Sequence, residues 1–251
     1  MKVKLDLQDL ETKDSNWGVD FMDLRKSYIS KDKGKNTLAV LYRKGSNSKG
    51  ENMNNGGAEI DFAPIGVLPA TKKATFGCKI KYPSNFDFTR GGKTGVGFAM
   101  GDGNASGGRR SDNASSARVI WRENGAATLY IYTPKNLHQL DENLDAAAFS
   151  SGDWGVEFFK NVFQGGTLKR GAWNDVTIQV GLNTFDSVGN PNPDGFAIMT
   201  INDVSASIGG IRWLSREDSI RYCPFNTFFG GEEWAATKDE IVFYKDFWVS
   251  N

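Results

Sequence analysis

Short runs of alternating or continuous apolar residues recur along the whole chain, each closed by a cluster of Gly, Asn, Asp or Ser. This rhythm allows little besides antiparallel β-structure. The runs are Thr37–Arg43, Ala74–Tyr82, Gly95–Met100, Ser116–Arg122, Thr128–Thr133, Trp173–Leu182, Phe196–Ile201, Phe225–Phe229 and Ile241–Val249. Helical spacing is scarce, with short candidates only at Asp20–Ser27 and Asp141–Phe149. Twenty-nine glycines and 12% aromatic residues fit strands and tight turns better than an α/β enzyme. The expectation is an all-β chain, a β-jelly roll or two-sheet antiparallel sandwich. At 251 residues it fits one domain, 1–251, with 1–36 as an N-terminal extension packed on the sandwich.

The 30 basic and 30 acidic residues cancel overall, so the total charge predicts no affinity for polyanions. Distribution says more. Between Lys79 and Lys135 nine basic residues face four acidic ones, leaving the rest of the chain acidic. Cys78 and Cys223 sit in apolar strand-like runs, where buried free thiols are expected and a single bridge between sheets is conceivable. His138 is the sole histidine, which excludes a multi-histidine zinc site. No apolar run is long enough to span a membrane, and residues 1–14 carry no apolar signal-peptide core. The segment Asp102–Ser115 reads as a long polar loop. Neither a metal nor a cofactor is expected.

The most informative stretch is Ser115–Asn136, which reads strand, turn, strand. A two-residue Asn124-Gly125 turn would pair Val119 with Tyr130 and mix apolar with polar faces. A three-residue loop, Glu123-Asn124-Gly125 with Gly125 left-handed, pairs Arg122 with Ala126 instead. Arg118 then lies opposite Tyr130, and Ser116 opposite Tyr132. A slip of one residue would invert a strand's faces, so consistency of burial selects the second register.

That cluster suits elimination across a uronic acid. The carboxylate must be neutralised so that the C5 proton becomes acidic, a base must take the proton, and an acid must protonate the departing oxygen at C4. Arg118 can hold a carboxylate in a bidentate grip. Lys93 adds positive charge or serves as a base if its own pKa falls. Tyr130 or Tyr132 can act as base or acid. The spacing does not decide among Lys93, Tyr130 and Tyr132; the favoured division gives the carboxylate to Lys93 and Arg118 and the protons to a tyrosine. The competing view is an ordinary sheet surface with aromatic and cationic neighbours.

At this hairpin the chain resembles polysaccharide lyase family 14, the alginate and glucuronan lyases of algal viruses and herbivorous molluscs. The resemblance rests on Tyr42 to Ser46, Gly56 to Ala58, Asn85 to Lys93, Ser116 to Arg122, Tyr130 to Lys135, Gly171 to Asn174, Thr227 to Gly231, and Trp234 to Asp239 leading into Tyr244 to Trp248. It implies a jelly roll with a substrate groove on one sheet, lined by Lys93, Ser116, Arg118, Tyr130 and Tyr132. It also implies β-elimination of an acidic polyuronate, leaving a C4–C5 unsaturated end. The chain departs from the family's pattern at Arg43 and Lys49, where prolines are frequent, and at Arg109 and Arg110, in a region where some members carry a histidine.

Four residues are candidates for substrate contact: Ser116, Lys135 at a strand end, Arg110 in the polar loop, and Trp234 as a stacking platform. The expected partner is an anionic polysaccharide, met by a monomer outside the cell or on a virion, with no nucleic acid and no membrane. A non-catalytic polysaccharide-binding module would share the fold without needing Lys93, Arg118 and the tyrosines to converge. A glycoside hydrolase would need two flanking carboxylates, and adjacent Glu232 and Glu233 would point to opposite faces of a strand.

Overall fold

The computed structural model describes residues 1–10, 15–48, 54–137 and 154–251. The described chain forms strands, turns and short 3-10 segments, with no α-helix among the described residues. One sheet is built from β1 (Lys2–Leu5), β3 (Tyr28–Asp32), β4 (Lys35–Tyr42), β6 (Lys73–Lys81), β13 (Trp173–Gly181), β14 (Gly195–Ile201), β15 (Val204–Ile211) and β17 (Glu240–Ser250). The other holds β2 (Val19–Asp23), β5 (Ala58–Phe62), β7 (Gly92–Asp102), β10 (Asn113–Trp121), β11 (Ala127–Tyr132), β12 (Val156–Phe158) and β16 (Ile220–Phe229). A two-stranded ribbon, β8 (Ala105–Ser106) and β9 (Arg109–Arg110), stands apart.

The first sheet runs β15-β14-β13-β6-β17-β4-β3, with β1 also on β17. The second runs β12-β11-β10-β7-β16-β5-β2. All strand pairs are antiparallel. Alternation explains the sandwich. Strand β14 buries every second residue, and β5, with the sequence AEIDF, does the same. Inner residues of both sheets, among them Phe76, Ile178 and Val249 from the first and Ile60, Phe98 and Val119 from the second, share one core. Each such side chain contributes about 1.5–3 kcal/mol of burial free energy. Cys78 and Cys223 lie on opposite sheets as free, buried thiols.

All nine runs expected from the sequence are strands. The helix expected at Asp20–Ser27 is not present: β2 occupies its first half and pairs with β5. Residues 141–149 lie outside the described residues, as does His138. The polar loop expected at 102–115 is instead the β8–β9 ribbon followed by the start of β10. The N-terminal residues are woven into both sheets through β1, β2 and β3.

Strand β10 departs from alternation in an informative way: all nine of its residues are buried. Its inner face (Ala117, Val119, Trp121) belongs to the sandwich core. Its outer face is covered too: Ala114 on that face clusters with Ala105 of β8 and Tyr132 of β11, and Tyr130 packs against them. The ribbon therefore folds over the outer face of the second sheet and walls one side of a groove.

Candidate active site

The hairpin β10–β11 sets the site. Arg122 N–H donates to the Ala126 carbonyl at 2.8 Å, and Gly125 is left-handed at φ 74°. The three-residue loop fixes the register: Arg118 opposite Tyr130 and Ser116 opposite Tyr132. On the far side of β10, Arg118 faces Gly97 of β7. A Cβ at Gly97 would lie 2.6 Å from Arg118 Cδ, so the glycine is what lets the arginine lie flat across β7. Its Nη1 donates to the Pro224 carbonyl on β16 at 3.1 Å. Arg118 is 9% exposed, and its Nε has no hydrogen-bond partner.

Lys93 enters the same face from β7, opposite Ile120 on one side and Phe228 on the other. The glycine before it is a packing requirement, because a Cβ at Gly92 would lie 2.1 Å from the Trp121 ring. The Lys93 amine sits 5.1 Å from the Phe228 ring centroid. Burial pushes its pKa down to about 7, the Arg118 charge adds to the shift, and Glu59 opposes it. Burial likewise works against the charge on Arg118, with Tyr222, Asp61 and Glu59 favouring it.

Tyr130 and Tyr132 stand edge to face, centroids 5.3 Å apart, with their hydroxyls 3.3 Å apart. Gly155 N–H donates to the Tyr130 oxygen at 3.0 Å, and Gly108 N–H to the Tyr132 oxygen at 3.1 Å. Burial, followed by the neighbouring Tyr132, raises the Tyr130 pKa well above its ordinary value. Tyr130 therefore keeps its phenolic proton at neutral pH.

The remaining sequence candidates separate. Ser116 is buried, and its hydroxyl donates to the Ala105 carbonyl at 2.6 Å, pinning the ribbon to the sheet. Arg110 is braced rather than loose: it donates to the Thr133 carbonyl at 2.8 Å and to the Trp154 carbonyl, and its guanidinium lies 5.1 Å from the Tyr132 ring. Lys135 is exposed just beyond β11. Trp234 is 38% exposed and lies 5.3 Å from the Arg122 guanidinium. It borders a cavity of about 380 Å³ lined also by Arg90, Thr128, Glu157 and Lys160. Glu157, opposite Tyr130 on β12, is bound there by Arg122 and by Thr128.

The opposite bank was not foreseen. Glu59 and Asp61 alternate outward on β5, beside Asn226 and Pro224 of β16. Asp61 has its pKa raised to about 6 by burial and then by Glu59, with Arg118 pulling it down. The AEIDF alternation was the available signal.

An antiparallel sandwich with a groove across one sheet, floored by a buried arginine and a depressed lysine beside paired tyrosines, is the architecture of a polysaccharide lyase. The model of polysaccharide lyase 14 matches residues 30–247, and the chain belongs to that family. The alginate lyase vAL-1 from Chlorella virus is 30% identical, with TM-score 0.88 over 99% of this chain and 98% of that one. The marine PL-14 alginate lyase from Aplysia kurodai is 20% identical, with TM-score 0.80 over 99% and 97%. A mutant of the alginate lyase Aly36B in complex with an alginate tetrasaccharide is 23% identical, with TM-score 0.71 over 99% and 93%. No curated protein sequence matches. The protein is a polysaccharide lyase.

Proposed function

We propose that the substrate is alginate and that Lys93, Arg118 and Tyr130 carry out its β-elimination. The observation behind this is their convergence on one face of the second sheet, with Arg118 directly opposite Tyr130 and Lys93 on the adjacent strand. The relatives named above act on alginate.

Arg118 neutralises the uronate carboxylate and so acidifies the C5 proton. Lys93, whose pKa burial lowers to about 7, takes that proton in its neutral form. The electron pair forms the C4–C5 double bond, the C4–oxygen bond breaks, and the Tyr130 hydroxyl gives its proton to the departing oxygen. This division differs from the one the sequence favours, where Lys93 serves only as a charge. Burial is the reason: it leaves the lysine able to accept a proton and the tyrosine able to give one. Tyr132 and Arg110 hold Tyr130 and the ribbon in place, and Ser116 anchors the ribbon. Lys135 and the Trp234–Arg122 wall meet sugars further along the polymer. A polymer of this kind is extracellular, which extends the proposal to a secreted or virion-associated setting.

The test is ultraviolet absorbance of the C4–C5 double bond with alginate and with glucuronan. A rise with alginate, lost in Lys93→Ala and Tyr130→Phe, supports the assignment. A faster rise with glucuronan would replace the substrate. Binding without any rise would remove the chemistry.

A further inference from the structure

Along the acidic bank of the groove runs a chain of three side chains with no part in the elimination described above. Arg25, whose side chain is 2% exposed, donates to the Gly56 carbonyl at 2.9 Å and to Glu59 Oε2 at 3.3 Å. Glu59 Oε1 in turn accepts from Asn226 Nδ2 at 2.9 Å. A carboxylate paired with an arginine only accepts, so the Asn226 carboxamide can be turned one way alone: its N–H₂ toward Glu59, its Oδ1 away.

That Oδ1 is buried and has no hydrogen-bond partner. It lies on the groove side, because the flanking residues Phe225 and Thr227 are both fully buried on the inner side of the strand. Its strand, β16, lies between β5 and β7. Lys93 faces Phe228, so Asn226 is its diagonal neighbour on the same face of the sheet. Two residues earlier on β16, the Pro224 carbonyl holds Arg118. Arg118 contributes the matching orphan, its buried Nε donor.

An unpaired acceptor and an unpaired donor on one face of the sheet are costly unless a ligand uses both. A uronate residue carries the complement: a carboxylate to accept from Arg118, and ring hydroxyls to donate. We infer that Asn226 is a substrate-positioning residue whose Oδ1, locked by Glu59 and Arg25, accepts a ring hydroxyl of the uronate whose carboxylate Arg118 holds. The inference rests on the lyase reading and deepens it. It makes the site sensitive to the configuration of that hydroxyl as well as to charge.

The test is calorimetric titration of the Tyr130→Phe protein, with and without Asn226→Ala, using an alginate trisaccharide. It is paired with steady-state rates of the otherwise unmodified Asn226→Ala enzyme. The expected result is a loss of about tenfold in oligosaccharide affinity, the size of one hydrogen bond to a neutral donor. A loss of the same order in kcat/KM should follow, with the shape of its pH profile unchanged. Unchanged affinity would overturn the inference. So would an effect confined to a shift of the acid limb of the profile, which would assign Oδ1 to the Lys93 ammonium. Asn226→Ser, with a hydroxyl too short to reach, repeats the test if the alanine variant does not fold. Absorbance that rises while affinity is unmoved removes this inference alone. Affinity that falls while no absorbance rises in the unmodified enzyme removes the lyase assignment and leaves the contact standing.

Discussion

Arg118 and Tyr130 are Cα partners across β10 and β11, yet the arginine side chain runs the other way, over Gly97 to the Pro224 carbonyl. The guanidinium proposed to bind the carboxylate and the hydroxyl proposed to give the proton thus start from one register position and reach the groove from two directions. The empty space above Gly97 makes this possible.

Gly97→Ala should displace the guanidinium, since its Cβ would meet Arg118 Cδ at 2.6 Å and the Ala117 carbonyl oxygen at 2.5 Å. We expect kcat/KM to fall by about 100-fold or more, in line with the loss of a positioned charge-stabilising donor. Gly209→Ala on β15, where no atom lies within 4 Å, should leave the rate unchanged. Steady-state rates of the two variants decide the matter.

Lys93 works as a base only when neutral, so kcat/KM should rise with pH and level off above about 7. The Tyr130 pKa is raised, so the plateau should extend through the alkaline range without an early descending limb. A profile that falls through neutral pH would reverse the acid and base assignments.

The same lysine should make the fold less stable. Its folded pKa lies below its unfolded one, so the unfolded chain binds more protons between about 7 and the ordinary lysine value of 10.5. Stability therefore rises with pH across that window, and the full cost of the buried charge is felt below it. Lys93→Met should remove that cost. We expect an inactive protein that is more stable at pH 7 by about 1–3 kcal/mol, visible as a higher Tm.

Asp61 should oppose substrate binding by its charge near Arg118. Above its pKa of about 6 the carboxylate is charged beside Arg118, with Glu59, Asp20 and Tyr222 as its other charged or titratable neighbours. Asp61→Asn should lower KM for alginate by about two- to fivefold at pH 8, the range of a partly screened charge interaction. Below pH 5, where the wild-type residue is already neutral, it should change little. KM measured at both pH values is the check.

Trp234 and Arg122 wall a cavity beyond Thr128, away from the reacting atoms. Trp234→Ala should raise KM for long polymer several-fold with kcat retained, since the contact is shared by ground and transition states. The shortest cleavable oligosaccharide should be unaffected. Equal losses at both lengths would place the tryptophan in the fold instead.

Much of this was legible in the residues. The hairpin register followed from the mismatch that a two-residue turn would create, and it delivered Arg118, Tyr130, Tyr132 and Ser116 to one face. Edge strands were harder to read. Strand β2 has no regularly buried side, and the Phe21 and Leu24 spacing imitates a helix. Strand β15 is largely polar or exposed. The acidic bank escaped because Glu59 and Asp61 precede the basic window in sequence, and only the sheet order β7-β16-β5 brings them beside Arg118. Local charge counting cannot see across strands. The pairing of Asn226 with Glu59 is of the same kind, a contact between positions far apart in the chain.

The walls of the groove carry charges of both signs: Arg90, Arg122 and Lys160 stand with Glu123 and Glu157 on one side, and Glu59 and Asp61 on the other. Most of these are already closed into pairs, Arg122 and Lys160 with Glu157, and Glu59 with Arg25. Arg118 differs, because its Nε has no hydrogen-bond partner. A polyanion laid along the groove therefore meets satisfied ion pairs at the walls and an unsatisfied cation at the floor.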